Sequence, residues 1–333
     1  MDIRQQFPDL HWLADGGISV VYEVHPDIVV KVPKSGAYER EQFRKEVKIY
    51  EIISQHPPCP YLVQCFLYGE KGIFLRYMRG AALMVSTIYR TYDLQTGVVT
   101  KVDKLEPLSL RKEWMNDLAQ AVAFLESLNL AHGDLRPENI LIDHNRLKLT
   151  DFDSTAEIGS CFEACIPPYG RILNSNEQNE GSPGKYGSLG PRTELFALGS
   201  LYYLINYGFE VYGDRLLTED PKKQGNEVVK LLQNMVFPEL NGDTLLDNII
   251  SKCWHNNYAT VAELAAYTAT LLPRAGEQDG YSGVIEQHGS AEEFSANKTF
   301  CQDLEDRGLL HMLSLGEPKQ LGLKFEWYRH STR

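Results

Sequence analysis

The sequence has no pair of cysteines at C-x-x-C spacing. Its six cysteines, Cys59, Cys65, Cys161, Cys165, Cys253 and Cys301, are scattered, which argues against both a zinc site and a disulfide framework. Reduced thiols in an intracellular compartment, cytoplasmic or nuclear, are the expectation. No amino-terminal leader pattern and no apolar run of membrane-spanning length is present, so no membrane role is expected. A basic tract is also missing. The net charge is −12, the wrong sign for a nucleic-acid surface; it serves solubility and is compatible with basic or neutral partners. No internal repeat is visible. With 43% hydrophobic and 23% charged residues over 333 positions, there is enough apolar material for one two-lobed domain plus a tail.

Against that background one stretch stands out. His132-Gly133-Asp134-Leu135-Arg136-Pro137-Glu138-Asn139 is followed by Asp151-Phe152-Asp153. Between them, Ile140 to Ile142 and Leu147 to Thr150 read as a strand pair turning at Asp143-His144-Asn145. That hairpin would bring Asn139 and Asp151 to one place. A carboxylate, an amide and a second carboxylate around one cleft form the set that nucleotide phosphoryl transfer needs: one acid to orient and deprotonate a hydroxyl, the amide and other acid to hold Mg²⁺. The chain here resembles the eukaryotic protein kinase family, with HGDLRPEN in place of HRDLKPEN and DFD in place of DFG.

The resemblance implies further parts upstream, and candidates occur in order. Residues 13–22 (LADGGISVVY) resemble the glycine-rich loop, whose small residues let backbone N–H groups approach phosphates. Only Gly16 matches a family glycine; Ala14 and Ser19 take the places of the other two, with Gly17 and Val21 alongside. Read without that context, Asp-Gly-Gly is an ordinary hairpin turn. Ile28-Val29-Val30-Lys31-Val32 is an apolar run broken by one lysine, which a buried strand tolerates only when the charge is paired. The resemblance makes Lys31 the phosphate-contacting lysine and Glu46 its partner. Glu46 lies beside the helical stripe of Phe43, Val47 and Tyr50 in residues 39–54. In isolation, a solvated Lys31 and a surface Glu46 are the plain alternative.

The same family order sets the expected organisation: an α+β, bilobal protein kinase-like fold over residues 10–272. A small antiparallel-sheet lobe (about 10–75) with one long helix leads through a hinge (about 76–80) to a mainly helical lobe (about 81–272). Val29, Leu75, Tyr77 and Leu141 would line the adenine pocket, Leu75 setting its depth. Residues 86–107 read as a hairpin insertion. Ser109 is a candidate cap for a helix running to Leu128, with Trp114, Leu118, Ala121, Val122 and Leu125 on its buried face. Glu194 to Gly199 resembles D-x-W-S-L-G, and Leu245 to Trp254 resembles the late L-x-x-I-x-x-C-W helix. Residues 273–295 read as a linker. The tail, 296–333, carries one short helix over 297–313 and the aromatics Phe325, Trp327 and Tyr328, expected to dock on the larger lobe.

Departures from the family pattern shape the functional expectation. Gly133 replaces an arginine that contacts activation-loop phosphate, so the usual phospho-switch is expected to be missing. Arg136 replaces the catalytic-loop lysine, Asp153 the DFG glycine, and Val29 the alanine over adenine. Leu173 and Tyr258 stand where an ion pair is usual. Ile166 stands near a threonine that Ser/Thr kinases place beside the catalytic acid.

Three activities fit. The first is a Ser/Thr-type protein kinase using ATP and Mg²⁺ on a protein substrate, with Asp134 as base, Arg136 beside it, Lys31 and Glu46 on the phosphates, and Asn139 and Asp151 on the metal. The second is a small-molecule phosphotransferase of the aminoglycoside or choline type, suggested by HGD with DFD. The third is a pseudokinase serving as a binding module.

Overall fold

The computed structural model describes residues 3–79, 89–161, 166–273 and 290–326. After a short helix α1 (Ile3–Gln6), strands β1 (His11–Asp15), β2 (Ser19–His25) and β3 (Ile28–Pro33) form a meander. Helix α2 (Ala37–Ser54) follows, then β4 (Cys65–Gly69) and β5 (Gly72–Arg76). The sheet is antiparallel in the order β1-β2-β3-β5-β4. Helix α2 buries Phe43, Glu46, Val47, Ile49 and Tyr50. Positions 43, 46, 47 and 50 recur at the helical spacing that puts them on one face.

Strands β6 (Tyr89–Tyr92) and β7 (Val99–Lys104) make the inserted hairpin. Its turn is held by the Asp93 carboxylate, which accepts the N–H groups of Gln95 and Thr96. The larger lobe is built on α3 (Leu108–Ser127), followed by the short strand β8 (Leu130–Ala131), the hairpin β9 (Ile140–Asp143) and β10 (Arg146–Leu149), and β11 (Ala156–Glu157), which pairs with β8. Helices α4 (Pro191–Tyr207), α5 (Gln224–Gln233), α6 (Thr244–Trp254) and α7 (Val261–Ala269) complete it. Helix α3 begins at Leu108 with Pro107 at the cap and no side-chain bond there. Ser109 therefore lies inside the first turn rather than capping it; the fixed φ of Pro107 starts the helix two residues earlier. Gly199 explains the tight crossing of α4 and α6: a Cβ there would lie 2.8 Å from Trp254 Cδ1 and 3.0 Å from Cys253 Cβ.

The tail differs from expectation in two ways. It forms two helices, α8 (Ala291–Asp306) and α9 (Leu309–Leu313), broken at Gly308, whose φ is +85°. Helix α8 starts within the expected linker. The tail also docks on the small lobe, not the larger one. Cys301, Leu304, Leu309, Leu310, Leu313 and Leu323 pack with Ile3, Phe7 and Leu10 on the outer sheet face. The physical reason is the two-residue period of the strands. Ile28, Val30 and Val32 face outward, while Val29 faces the cleft, so the apolar run of β3 needs cover on both sides. Gly80, Cys165, residues 274–289, Trp327 and Tyr328 lie outside the described residues.

Candidate active site

Three elements bring charged groups to the cleft between the lobes. Strand β3 presents Lys31 on the same face as Val29. Helix α2 presents Glu46. The residue after Thr150, just past β10, is Asp151. Lys31 Nζ lies 2.7 Å from Glu46 Oε2 and 2.5 Å from Asp151 Oδ1. Glu46 is fully buried, and neither of its oxygens has a hydrogen bond among the described residues; the Lys31 contact is an ion contact without hydrogen-bond alignment. Burial pushes the Glu46 carboxyl up to about 7, with the Lys31 charge pulling against it. For Lys31, burial acts to lower the pKa, but the charges of Glu46 and Asp151 outweigh it and hold the ammonium above its usual range. Burial also acts to raise Asp151, and Lys31 overrides it, keeping that carboxyl below the ordinary range. The plain alternative of a solvated lysine does not describe this lysine.

The second half of the site is the loop after β8. Gly133 has φ +77°, and a Cβ on it would sit 2.6 Å from the Ser154 carbonyl oxygen. Glycine is therefore required by both backbone conformation and space, which gives the missing arginine a local cause. Asp134 follows. Asn139 Nδ2 donates to the Asp134 carbonyl at 2.8 Å and to Asp134 Oδ2 at 3.0 Å, and Arg136 Nε lies 3.1 Å from the same Oδ2. Burial raises the Asp134 carboxyl to about 6, against the pull of Arg136 and Asn139. With its amide nitrogen committed to Asp134, Asn139 has its carbonyl oxygen left as a ligand atom.

His132 and Phe152 lock this loop to the upper lobe. The rings of His132 and Phe152 meet edge-on at 5.7 Å, and those of Phe152 and Tyr50 at 5.4 Å. Tyr68 of β4 extends the column, stacked 6.5 Å from Tyr50. Burial lowers His132 to about 4, so its ring is neutral. Its Nδ1 accepts the Asp134 N–H at 3.2 Å, which assigns the ring proton to Nε2, 3.1 Å from the Thr150 carbonyl.

Two supports were not among the sequence candidates for the site. Glu194, in the first turn of α4, accepts the N–H groups of His132 at 2.8 Å and Gly133 at 3.3 Å; the D-x-W-S-L-G likeness of residues 194–199 was its signal. Asp117 of α3 is buried and accepts from Arg146 Nε at 2.9 Å, from Arg146 Nη2, and from Leu147 N–H at 3.0 Å. It thereby pins the hairpin that carries Asn139 and Asp151. Its signal was an acid one turn from Trp114 on an otherwise apolar face.

The remaining candidates fall around the same cleft. Val29, Leu75 and Tyr77 are buried, and Val21 and Leu141 half-buried. Val29 pairs with Leu75 across β3 and β5. The Tyr77 N–H donates to the Asp27 carbonyl at 2.8 Å, which commits it to the protein rather than to a ligand. At the β1–β2 turn, Ala14 is half-buried, Ser19 buried, and Gly16 and Gly17 exposed. Gly16 N–H donates to the Ser19 carbonyl at 2.9 Å, which commits it to the turn rather than to a ligand.

Comparison with known proteins settles the family. The model for the protein kinase domain matches residues 11–259. The chain belongs to the protein kinase family. It is 28% identical over 271 residues to MAP kinase-activated protein kinase 2 of Oryctolagus cuniculus, covering 74% of this chain and 70% of that protein. It is 24% identical over 280 residues to the probable serine/threonine-protein kinase gdt2 of Dictyostelium discoideum, and 25% over 246 residues to CBL-interacting serine/threonine-protein kinase 20 of Arabidopsis thaliana. These matches cover 79% and 67% of this chain. The match spans only 16% of the first of these two and 50% of the second.

Within that family, the kinase-specific departures have a physical form here. Leu173 and Tyr258 are both buried, so neither member of the usual ion pair is left as an unpaired charge. Arg171, with its side chain almost fully buried, pairs with Glu177 instead, Nη1 to Oε2 at 2.7 Å. Asp153 is raised by burial and by the neighbouring Asp151 charge, and it accepts from Ser154 Oγ at 3.1 Å. Ile166 is two-thirds exposed and supplies no hydroxyl beside Asp134. Among the described residues no group of three or more His, Cys, Asp or Glu could hold a metal ion. The Thr150 N–H donates to the Asn139 backbone carbonyl at 3.0 Å, which sets Asn139 beside the residue preceding Asp151, and the donors on offer are one amide oxygen and one carboxylate. They fit Mg²⁺, which takes one or two protein ligands and completes its shell with water and substrate phosphate.

Proposed function

We propose that this protein kinase transfers the γ-phosphoryl group of ATP to a serine or threonine hydroxyl of a protein substrate. The observation that carries the reading is the single ammonium of Lys31 touching both Glu46 and Asp151 above a loop in which Asn139 orients Asp134. Lys31, fixed by Glu46, would bind the α- and β-phosphates. Asp134 accepts the proton of the incoming hydroxyl; Asn139 and Arg136 hold its carboxylate in place. Arg136, 3.1 Å from Asp134, adds positive charge where the transferred group carries negative charge. Asn139 and Asp151 would hold Mg²⁺, which when bound neutralises phosphate charge. The kinase-like larger lobe, with Glu194 anchoring the catalytic loop, favours this over a small-molecule phosphotransferase.

A binding-only reading has specific support in Asp153, a half-buried second carboxyl next to Asp151, and in the committed Gly16 N–H. Thermal melting with ATP, with and without Mg²⁺, separates the two. Binding stabilises the folded chain by about 3 kcal/mol at 100 times Kd, and the melting temperature rises with it. Transfer of labelled phosphate to basic protein substrates then supports the kinase reading; a shift without transfer supports the binding module, and transfer to amino alcohols alone supports the small-molecule enzyme.

A further inference from the structure

The tail meets the nucleotide-covering hairpin at its free edge. Strand β1 is an edge of the five-stranded sheet and forms one arm of the Gly16-Gly17 turn. Phe325 forms a parallel bridge to Trp12, and Glu326 N–H donates to the Trp12 carbonyl at 2.8 Å. The two rings lie 5.0 Å apart. The Glu326 carboxylate sits 3.2 Å from His11 Nδ1 and 3.3 Å from Arg4 Nη2. The β1–β2 ladder slips between Trp12 and Ala14, so the tail grips β1 at the residue where it enters the irregularity, roughly 10 Å of strand before the turn. Behind this contact, α8 and α9 cover the outer sheet face. Phe294 lies 5.8 Å from Phe66, Phe300 5.1 Å from His25, and Leu310 rests where a Cβ on Gly72 would be.

We propose that Phe325 and Glu326 are positioning residues for ATP: by adding a backbone bond to the edge of β1 they set how the Gly16-Gly17 turn sits over the phosphates. The matched kinase domain ends at residue 259, so this is a function of chain outside it, and it rests on the nucleotide-binding reading above. An edge strand with unpaired backbone groups accepts such an addition readily.

The test uses the full chain. Glu326→Pro removes the donated N–H while keeping an extended backbone; Phe325→Ala removes the ring contact. Each is expected to raise KM for Mg²⁺-ATP about fivefold, the equivalent of one backbone hydrogen bond, with kcat unchanged, and to speed amide exchange at Gly16. Phe294→Ala, which thins the cover over Phe66 of β4 at the opposite edge of the sheet, is expected to lower the melting temperature without moving KM. Wild-type KM and Gly16 exchange in both edge variants would overturn the proposal, as would an equal KM rise in Phe294→Ala. If the wild-type chain binds no nucleotide, the kinase reading fails, and Gly16 exchange alone then decides whether the tail holds the turn.

Discussion

Replacing Lys31 by methionine isolates the charge that holds the site together. Lys31 is 8% exposed and Glu46 0%, so the variant leaves a carboxyl in the core with no cation. The groups facing Glu46 are then Asp151 and Asp153, both of like sign, and the neutral Tyr50. In the native chain burial already raises Glu46 from 4.5 to about 7. A raised acid binds its proton more tightly when folded. Stability therefore falls as pH rises from about 4.5 to about 7 in the native chain and stops falling above that. Without Lys31 the folded pKa moves higher still, and the fall continues upward. Below pH 7 both proteins hold Glu46 largely protonated, and the substitution has little effect through this group. Above pH 7 the variant loses stability relative to the native chain by at most about 1.4 kcal/mol per pH unit, so about 3 kcal/mol by pH 9. That meets the lower end of the 3–5 kcal/mol typical of breaking a buried pair. Urea unfolding of Lys31→Met at pH 6, 7.5 and 9 measures it. Glu46→Gln in the same background is expected to reduce the pH-dependent part, leaving only what Asp151, which also loses its lysine, contributes. A loss that is flat with pH, or one undiminished in the double variant, would refute the reasoning.

Other outcomes follow from the loop around Asp134. Restoring the family arginine with Gly133→Arg should destabilise the fold by about 1–3 kcal/mol and lower activity, because φ +77° and the Ser154 carbonyl leave no place for a side chain; differential scanning fluorimetry and a transfer assay check this. Glu194→Ala strips two buried N–H groups of their acceptor and should cost about 2–6 kcal/mol, seen as a lowered urea midpoint. With no arginine at position 133 to read a loop phosphate, phosphatase treatment should leave activity intact; its abolition by phosphatase would count against the absence of a phospho-switch.

Much of this architecture is legible in the amino-acid pattern because the constraints are local. A lysine inside Ile28 to Val32 demands a counter-charge, and the stripe on α2 leaves Glu46 beside the core. The hairpin between Asn139 and Asp151 is short enough to fix their proximity. What escaped is non-local. The alternation that puts Val29 and Lys31 in the cleft also puts Ile28, Val30 and Val32 on the outside, yet nothing near β3 in the chain names their cover. That cover comes from residues 3–10 and from Leu304 to Leu323, nearly three hundred positions away. Glu194 was visible as a likeness, but its hydrogen bonds to His132 and Gly133 depend on how α4 packs. The commitment of the Tyr77 and Gly16 amides to the protein itself is a matter of backbone geometry that residue identity does not carry.

The central claim is that one cleft gathers Lys31, Asp134, Asn139 and Asp151 for phosphoryl transfer. Single-turnover transfer of labelled phosphate, with Asp134→Asn beside the native chain, tests it most directly. The expected result is a rate at least about 10²-fold lower in the variant, with the Mg²⁺-ATP melting shift retained. An undiminished rate in Asp134→Asn, or no nucleotide binding by the native chain, would contradict it.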